Sequence, residues 1–280
     1  MAFNKNELIL DRVRSLSAHD MTNGEMLFRL TSLEDPSLQT SAEGEEVVDA
    51  IGALITTLYR AKKATFSASN SLISLDLAAA QYGTKKEIAT AENKITVPTY
   101  EIITVADDVT EVALKSAPVG DVKYIYALAD NEIATRYNAG DAVSATEFVI
   151  DETGKIQLPT GLTGKIYVEY NYASENANRI VNKTSEFPEA CSLKIYAYFR
   201  DKCNENLVYS GVIVANKAKL NPESVELALT STGKHPFEFQ MMRDYCDDEA
   251  ELFSIIVANE LIFCFCLIFA EGFIPPLLLC

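Results

Sequence analysis

The chain has 280 residues, 48% of them hydrophobic, which is enough to bury one large core or a core and a smaller module. Its 40 acidic and 24 basic residues give a formal net charge of −16. This balance argues against bound nucleic acid, because phosphate binding needs Lys and Arg to replace counterions, although an acidic surface also simply keeps a protein soluble. Thirteen Tyr and thirteen Phe, with many Val, Ile and Thr, favour strands over helices.

The first predicted element is a β-hairpin. Residues 7–18 and 25–33 carry apolar side chains among polar ones, and Asn23-Gly24 lies between them. Asn-Gly supplies the positive φ values that a tight turn requires. The following segment, 34–49, is polar and rich in turn-forming residues, and we predict a long loop there. Loops of this length in compact domains are usually functional or disordered.

The next elements are a long strand and the clearest helix of the chain. Residues 51–67 predict one long strand or a bent pair of strands. Leucines and alanines at helical spacing predict a helix over 71–82, capped by Asn70 and ended by Gly83. Residues 95–105 return to a strand pattern.

From residue 104 onward the pattern changes to short alternating runs separated by turns. The runs are 109–114, 122–128, 147–150, 155–158 and 165–172, with a hairpin predicted around 151–154. Regular spacing of this kind is typical of a small sandwich. We therefore predict an inserted Ig-like module at 104–173, between two parts of a β-sandwich core domain at 1–103 and 174–258.

The second part of the predicted core domain contains strongly alternating strands. They are expected at 192–200, 207–219, 224–229 and 237–242, as antiparallel neighbours in one sheet. The last segment, 259–280, differs in composition and holds the apolar run 261–270. Ten residues are too few to span a bilayer. We therefore interpret the segment first as an accidental or regulatory extension, second as a buried assembly contact, and last as a membrane anchor.

The six cysteines lack zinc-ligand spacing, and residues 1–6 have neither a basic nor an apolar signal region. We therefore expect reduced thiols in a protein made in the cytoplasm. His19 and His235 flank predicted turns and are interpreted as turn residues rather than bases or ligands. Motifs for nucleophilic, zinc or nucleotide chemistry are missing, and the phosphate-loop pattern fails at Pro159. We expect no enzyme activity, no cofactor and no metal site.

Several segments together resemble phage major tail tube proteins of long-tailed bacteriophages. The hairpin through Thr22-Asn23-Gly24-Glu25 is similar to the opening of these proteins, as are the segment through Asp35-Pro36-Ser37 and the strand that follows it. The passage from Phe66-Ser67-Ala68 into the single helix is also similar. In the C-terminal half, Gly233-x-His235-Pro236-Phe237 resembles the closing turn of the family. The likeness covers about 7–103 and 174–250.

The resemblance implies an antiparallel β-sandwich or barrel-like fold with one packed helix. It also implies six copies per ring, with rings stacked head to tail as a hollow tail tube through which phage DNA passes without specific binding. Tape measure, terminator, baseplate or sheath proteins are the expected further partners, and the virion tail is the expected location. The polar segment is the natural contact between rings, and its residues are Glu34, Asp35, Pro36, Ser37, Thr40, Glu43, Glu45 and Glu46.

Two other roles remain open from the sequence. A capsid decoration or stabilising protein with an Ig-like module would form trimers or monomers on a shell. A surface adhesin or carbohydrate-binding module would need export. The ring and tube interpretation rests on the strand order, the single helix and the long polar segment.

Overall fold

We describe the protein from a computed structural model, over residues 7–204, 206–223, 225–227, 230, 233–245 and 251–258. The fold is mainly β, with 58% of residues in strands and 3% in one helix of the described chain. This confirms the predicted fold class. The described parts of residues 1–85 and 181–280 form one compact unit, and residues 86–180 form a second.

The elements follow one another along the chain as seventeen strands and a helix in the described residues. Their bounds are β1 Leu8–Asp20, β2 Met26–Leu30, β3 Leu33–Val48, β4 Leu54–Asn70, α1 Leu75–Tyr82, β5 Glu87–Ile88, β6 Ile95–Val105, β7 Glu111–Ala113, β8 Tyr124–Ala129, β9 Glu132–Ala139, β10 Glu147–Ile150, β11 Lys155–Gln157, β12 Gly164–Ser174, β13 Asn178–Arg179, β14 Ala190–Asp201, β15 Val208–Leu220, β16 His235–Met241 and β17 Ser254–Ala258.

The first unit is built on one antiparallel sheet with the order β2-β1-β14-β15-β16-β4-β3, and β17 pairs with part of β15. The two end strands, β2 and β3, are separated by two residues in the chain, so the sheet curls into a nearly closed barrel. Inward-facing residues alternate along each strand and fill the interior. This core includes Leu16, Leu193, Phe237 and Phe239.

The N-terminal hairpin is confirmed. β1 pairs with β2 around the predicted turn, and Gly24 has a φ of 73°. The Asp20 carboxylate accepts hydrogen bonds from the backbone N–H groups of Thr22 (2.7 Å) and Asn23 (3.1 Å). These bonds to the charged form lower the pKa of Asp20 below its usual value. Gly24 therefore supplies the positive φ predicted for this turn, and Asp20 adds two side-chain hydrogen bonds to it.

The helix is present but starts later than predicted. Ser74, not Asn70, is the N-cap, because its hydroxyl accepts a hydrogen bond from the N–H of Leu77. Asn70 belongs to the end of β4 and its side chain binds the carbonyl of Leu72. The predicted end is confirmed: Gly83 adopts the left-handed conformation and its N–H bonds back to the last turn.

The second unit holds a seven-stranded sheet with the order β6-β12-β8-β9-β10-β11-β7 and a two-stranded sheet of β5 and β13. Its pairs are antiparallel apart from a two-residue parallel ladder between β9 and β10. The predicted hairpin at 151–154 is confirmed by the pairing of β10 with β11. β6 pairs along its length with β12. The Ig-like character of the module and the division into domains stay predictions.

Two predictions fall partly or wholly outside the described residues. The expected strand at 224–229 includes residues that the structure does not describe, and the described residues 225–227 are not in a strand. The extension 259–280 lies outside the described residues. No helix in the part of the chain that the structure describes is long and apolar enough to cross a membrane.

Candidate assembly surface

The distal parts of β3 and β4 form a long hairpin, residues 39–63, which we name the arm. Every residue of the arm is exposed except Thr57, which is half-buried. At roughly 3.3 Å per residue, the strand from residue 39 to the tip extends the arm by about 30 Å. The arm therefore exposes both of its faces to solvent along nearly its whole length.

The predicted loop at 34–49 is wrong, since residues 34–48 belong to strand β3 and only Asp49 lies outside it. β3 pairs with β4 along nearly its whole length, from Leu33 opposite Asn70 to Val48 opposite Leu54. The polar, turn-rich composition misled the prediction because the ladder depends on backbone N–H and C=O groups, which every residue except Pro supplies in full. A strand exposed on both faces has no apolar alternation to reveal it.

The predicted contact residues separate into two groups along β3. Glu34 and Asp35 lie at the base of the arm, whereas Glu43, Glu45 and Glu46 lie in its distal half. The other predicted contact residues lie in β3 between these two groups; they are Pro36, Ser37 and Thr40.

The base of the arm is fixed to the barrel through Glu34. Its carboxylate forms an ion pair with Lys234 and accepts a 2.6 Å hydrogen bond from the hydroxyl of Ser71. Hydrogen bonds from Lys234 and then from Ser71 lower the pKa of Glu34. Glu34 therefore serves as an anchor, and of the predicted residues the distal ones are better placed for contact with another molecule.

Higher up the arm, charged side chains bridge its two strands. Lys63 pairs with Glu43 and Arg60 with Glu45, both at 3.2 Å between nitrogen and oxygen. All four side chains are at least 65% exposed, so each pair stabilises the hairpin by about 1 kcal/mol at most. These pairs can exchange partners at little cost.

Between residues 43 and 59, which we name the distal arm, large apolar side chains are exposed to solvent. Ile51 is 91%, Tyr59 75% and Ile55 64% exposed. The others of this stripe are Val47, Val48, Leu54 and Leu58. These side chains lie on both faces of the hairpin, since Leu58 and Tyr59 are consecutive residues of β4 and point to opposite sides. Large exposed apolar groups of this kind mark sites of protein association. The sequence predicted one long strand or a bent pair at 51–67 but not its exposure, because an apolar run in a strand pattern does not show whether its side chains are buried.

The tip of the arm is well formed. The Asp49 carboxylate accepts hydrogen bonds from the N–H groups of Ile51 (3.0 Å) and Ala53 (2.7 Å). Gly44 lies directly opposite Tyr59, and a Cβ atom at Gly44 would come within 3.3 Å of the Tyr59 ring. The ring therefore covers the glycine, an arrangement that orders an exposed strand. The exposed apolar side chains therefore lie on a hairpin that is ordered by its own turn and cross-strand contacts.

The two histidines are engaged in structural contacts, and the prediction that they are turn residues is wrong for both, since His19 lies in β1 and His235 in β16. His235 is not a turn residue: it begins β16, is 0% exposed, and its Nε2 lies 2.6 Å from the Gln81 side-chain oxygen. The backbone N–H of Ser74 donates to its Nδ1 at 3.3 Å, and burial lowers the pKa of His235. His19, next to the hairpin turn, contacts the Ser17 hydroxyl at 3.0 Å. The described residues contain no cluster of three or more His, Cys, Asp or Glu that would hold a metal ion.

The arm, the barrel and the second unit all lie within one stretch of sequence that matches a known family. The family model described as YomU/Tube protein family matches residues 8–255. No curated protein matches the chain. Because the match covers most of the chain, the protein belongs to the YomU/Tube protein family, a phage tube-like family of structural proteins.

Proposed function

We propose that this phage tube-related structural protein assembles with copies of itself into rings of six that stack as a hollow tail tube for DNA delivery. The observation that carries the proposal is the exposed apolar arm on a member of a tube family. A monomer gains nothing from keeping seven large apolar side chains in water, whereas a stacked assembly buries them.

The strand edges of the first sheet support a ring. β2 and β3 are the two ends of the sheet, and the outer edge of β3 along the arm has no strand partner among the described residues. Unpaired strand edges are a hazard in a free monomer but a joining device in a closed assembly. Head-to-tail contacts of this kind close by rotation into rings.

The charge of the chain supports the passage of DNA. With a net charge of −16, the assembled protein carries many carboxylates that repel phosphate. A DNA molecule therefore passes such a tube without being held by it. The protein has a structural role in the virion tail and no catalytic one. Tape measure, terminator, baseplate or sheath proteins would complete the tail.

Negative-stain electron microscopy of the purified full chain at moderate salt tests the proposal, with residues 1–258 as a parallel sample. We expect six-fold rings or hollow tubes in both. Persistent monomers, or trimers that bind only to a capsid shell, would refute the tube and favour a decoration protein.

A substitution in the arm tests the role of the apolar stripe. Ile55→Ser removes an exposed apolar side chain from the arm, and Ile133→Ser makes the same change at a residue of β9 that is 63% exposed. Burying a side chain of this size contributes roughly 1.5–3 kcal/mol, so Ile55→Ser should raise the concentration needed for assembly about tenfold or more. Light scattering across a dilution series measures it. An equal effect of both substitutions would remove the arm from the proposal.

A further inference from the structure

The outer face of β2, β1 and β14 carries a group of cations. Ser17 of β1 lies directly opposite Arg29 of β2 and opposite Lys194 of β14, so the three side chains share one face of the sheet. Tyr196 and Tyr198 follow Lys194 at alternate positions of β14 and share it as well. We name the basic face by its members Arg12, Arg14, Arg29, Lys194, Tyr196 and Tyr198.

Two irregularities in β1 gather arginines over one ring. The register with β14 shifts between Leu10 and Arg12 and again between Val13 and Ser15. As a result the guanidinium carbons of Arg12 and Arg14 lie 5.6 and 5.7 Å from the centre of the Tyr198 ring. Both cations therefore lie near one aromatic ring while staying exposed to solvent.

Among the described residues, few carboxylates neutralise this positive charge. The nearby Arg200 is bound to Asp11 at 2.8 Å, and this contact lowers the pKa of Asp11. Arg12 lies 3.8 Å from the same carboxylate. Within the part of the chain that the structure describes, no carboxylate forms an ion pair with Arg14, Arg29 or Lys194. In a protein of net charge −16, the basic face is opposite in sign to the molecule as a whole.

Apolar side chains continue the same face on the neighbouring strands. Val212 of β15 lies opposite Tyr196, and Ile256 of β17 lies opposite Val212. Tyr196 is 38% and Ile256 51% exposed. A partner for this surface therefore has both negative charge and apolar side chains.

The distal arm has this combination. Between residues 43 and 59 the sequence contains four carboxylates. Glu43 and Glu45 pair with Lys63 and Arg60 across the hairpin, whereas Glu46 and Asp49 have no ion-pair partner among the described residues. Exposed apolar side chains lie beside them. Phosphates of a nucleic acid would use the cations of the basic face but not its aromatic and apolar part. We propose that the basic face of one copy binds the distal arm of a second copy. This proposal rests on the proposed self-assembly and adds the surface to which the arm binds.

A charge-reversal cycle in the full-length protein tests this interface. Arg14→Glu changes the basic face, and Glu46→Arg changes an exposed carboxylate of the arm. Each single variant places like charges together and should raise the concentration for assembly about tenfold. The double variant restores opposite charges and should assemble within about threefold of the wild type.

Lys123→Glu is the matched control, because it makes the same change of charge at an exposed residue of the second unit. Sedimentation velocity at low and moderate salt measures assembly, and circular dichroism verifies that each variant is folded. Impaired single variants with a restored double variant support the interface. Single variants that behave like Lys123→Glu, or a double variant that is not restored, overturn it while leaving the tube intact.

Two further outcomes separate this interface from the proposed function and from nucleic-acid binding. A wild type that stays monomeric at all concentrations refutes the proposed function and the interface together. Fluorescence anisotropy with a labelled 20-base-pair duplex tests the other occupant. Duplex binding that Arg14→Glu abolishes and Lys123→Glu does not would assign the basic face to nucleic acid instead of the arm.

Discussion

Substituting Gly83 by Ala should destabilise the first unit far more than the same substitution at Gly24. Both glycines have a left-handed backbone, with φ of 70° and 73°. A Cβ atom at Gly24 meets nothing within 4 Å, whereas one at Gly83 would lie 2.2 Å from the carbonyl oxygen of Phe187 and 2.7 Å from its nitrogen. The two sites share the backbone cost and differ in the close approach.

The magnitudes follow from that difference. The left-handed conformation costs Ala roughly 1–2 kcal/mol at either site. At Gly83 the backbone at Phe187 must also move, which adds roughly 1–3 kcal/mol as in an overpacked core. We expect a loss in the free energy of unfolding of about 2–5 kcal/mol for Gly83→Ala and about 1–2 kcal/mol for Gly24→Ala.

Urea denaturation followed by circular dichroism at a concentration below assembly measures both losses. The slope of the free energy against urea should stay the same, so that the midpoints can be compared. Equal losses at the two sites would show that the segment around Phe187 yields freely. The close approach of Phe187 would then not explain the cost of replacing Gly83.

Two other predictions concern buried polar groups. Burial holds the pKa of His235 below its unfolded value of 6.5. The contribution of His235 to stability is therefore complete above pH 6.5 and is lost as the pH falls toward the folded pKa, by at most about 1.4 kcal/mol per pH unit. Urea unfolding at pH 5 and 7 should show this loss in the wild type and not in His235→Gln. Tyr170→Phe removes the hydroxyl that donates to buried Glu101 at 2.5 Å, which should lower the free energy of unfolding by about 1–3 kcal/mol. Tyr100→Phe is the control, because its ring is 62% exposed and the loss of its hydroxyl should change the free energy of unfolding little in the same urea titration. Equal pH slopes, or equal midpoints for the two tyrosine variants, would contradict these expectations.

Local signals in the sequence were sufficient for the parts of the fold that depend on local chemistry. Asn23-Gly24 predicted the first hairpin, and Gly83 predicted the end of the helix, because each needs a positive φ that glycine adopts readily. The alternation of buried residues along β14 and β15 was also legible, since one face of each strand packs into the barrel. Periodicity reports burial, and these strands are half-buried.

The strand structure of the arm could not be predicted, because periodicity reports burial and the arm is exposed. No residue of β3 is fully buried, so β3 has no periodic pattern, and its pairing with β4 depends on backbone groups that the sequence does not distinguish. The basic face depends on register: Arg29 and Lys194 are far apart in the chain and meet across Ser17. His235 looked like a turn residue because it precedes Pro236, yet its place at the start of β16 buries it against Gln81. Long-range pairing decides all three.

In the proposed interface, the charges on the arm decide which surfaces meet. Apolar arms alone would associate with one another as soon as the protein is made, since exposed strands with apolar side chains aggregate. Glu46 and Asp49, which have no ion-pair partner among the described residues, oppose that contact by like-charge repulsion, which acts within about 8 Å at physiological ionic strength. The basic face of another copy removes the repulsion and covers the apolar side chains on one side of the arm at the same time. Arms therefore avoid arms and bind faces, and a contact between two different surfaces of identical subunits is the kind that builds rings and filaments.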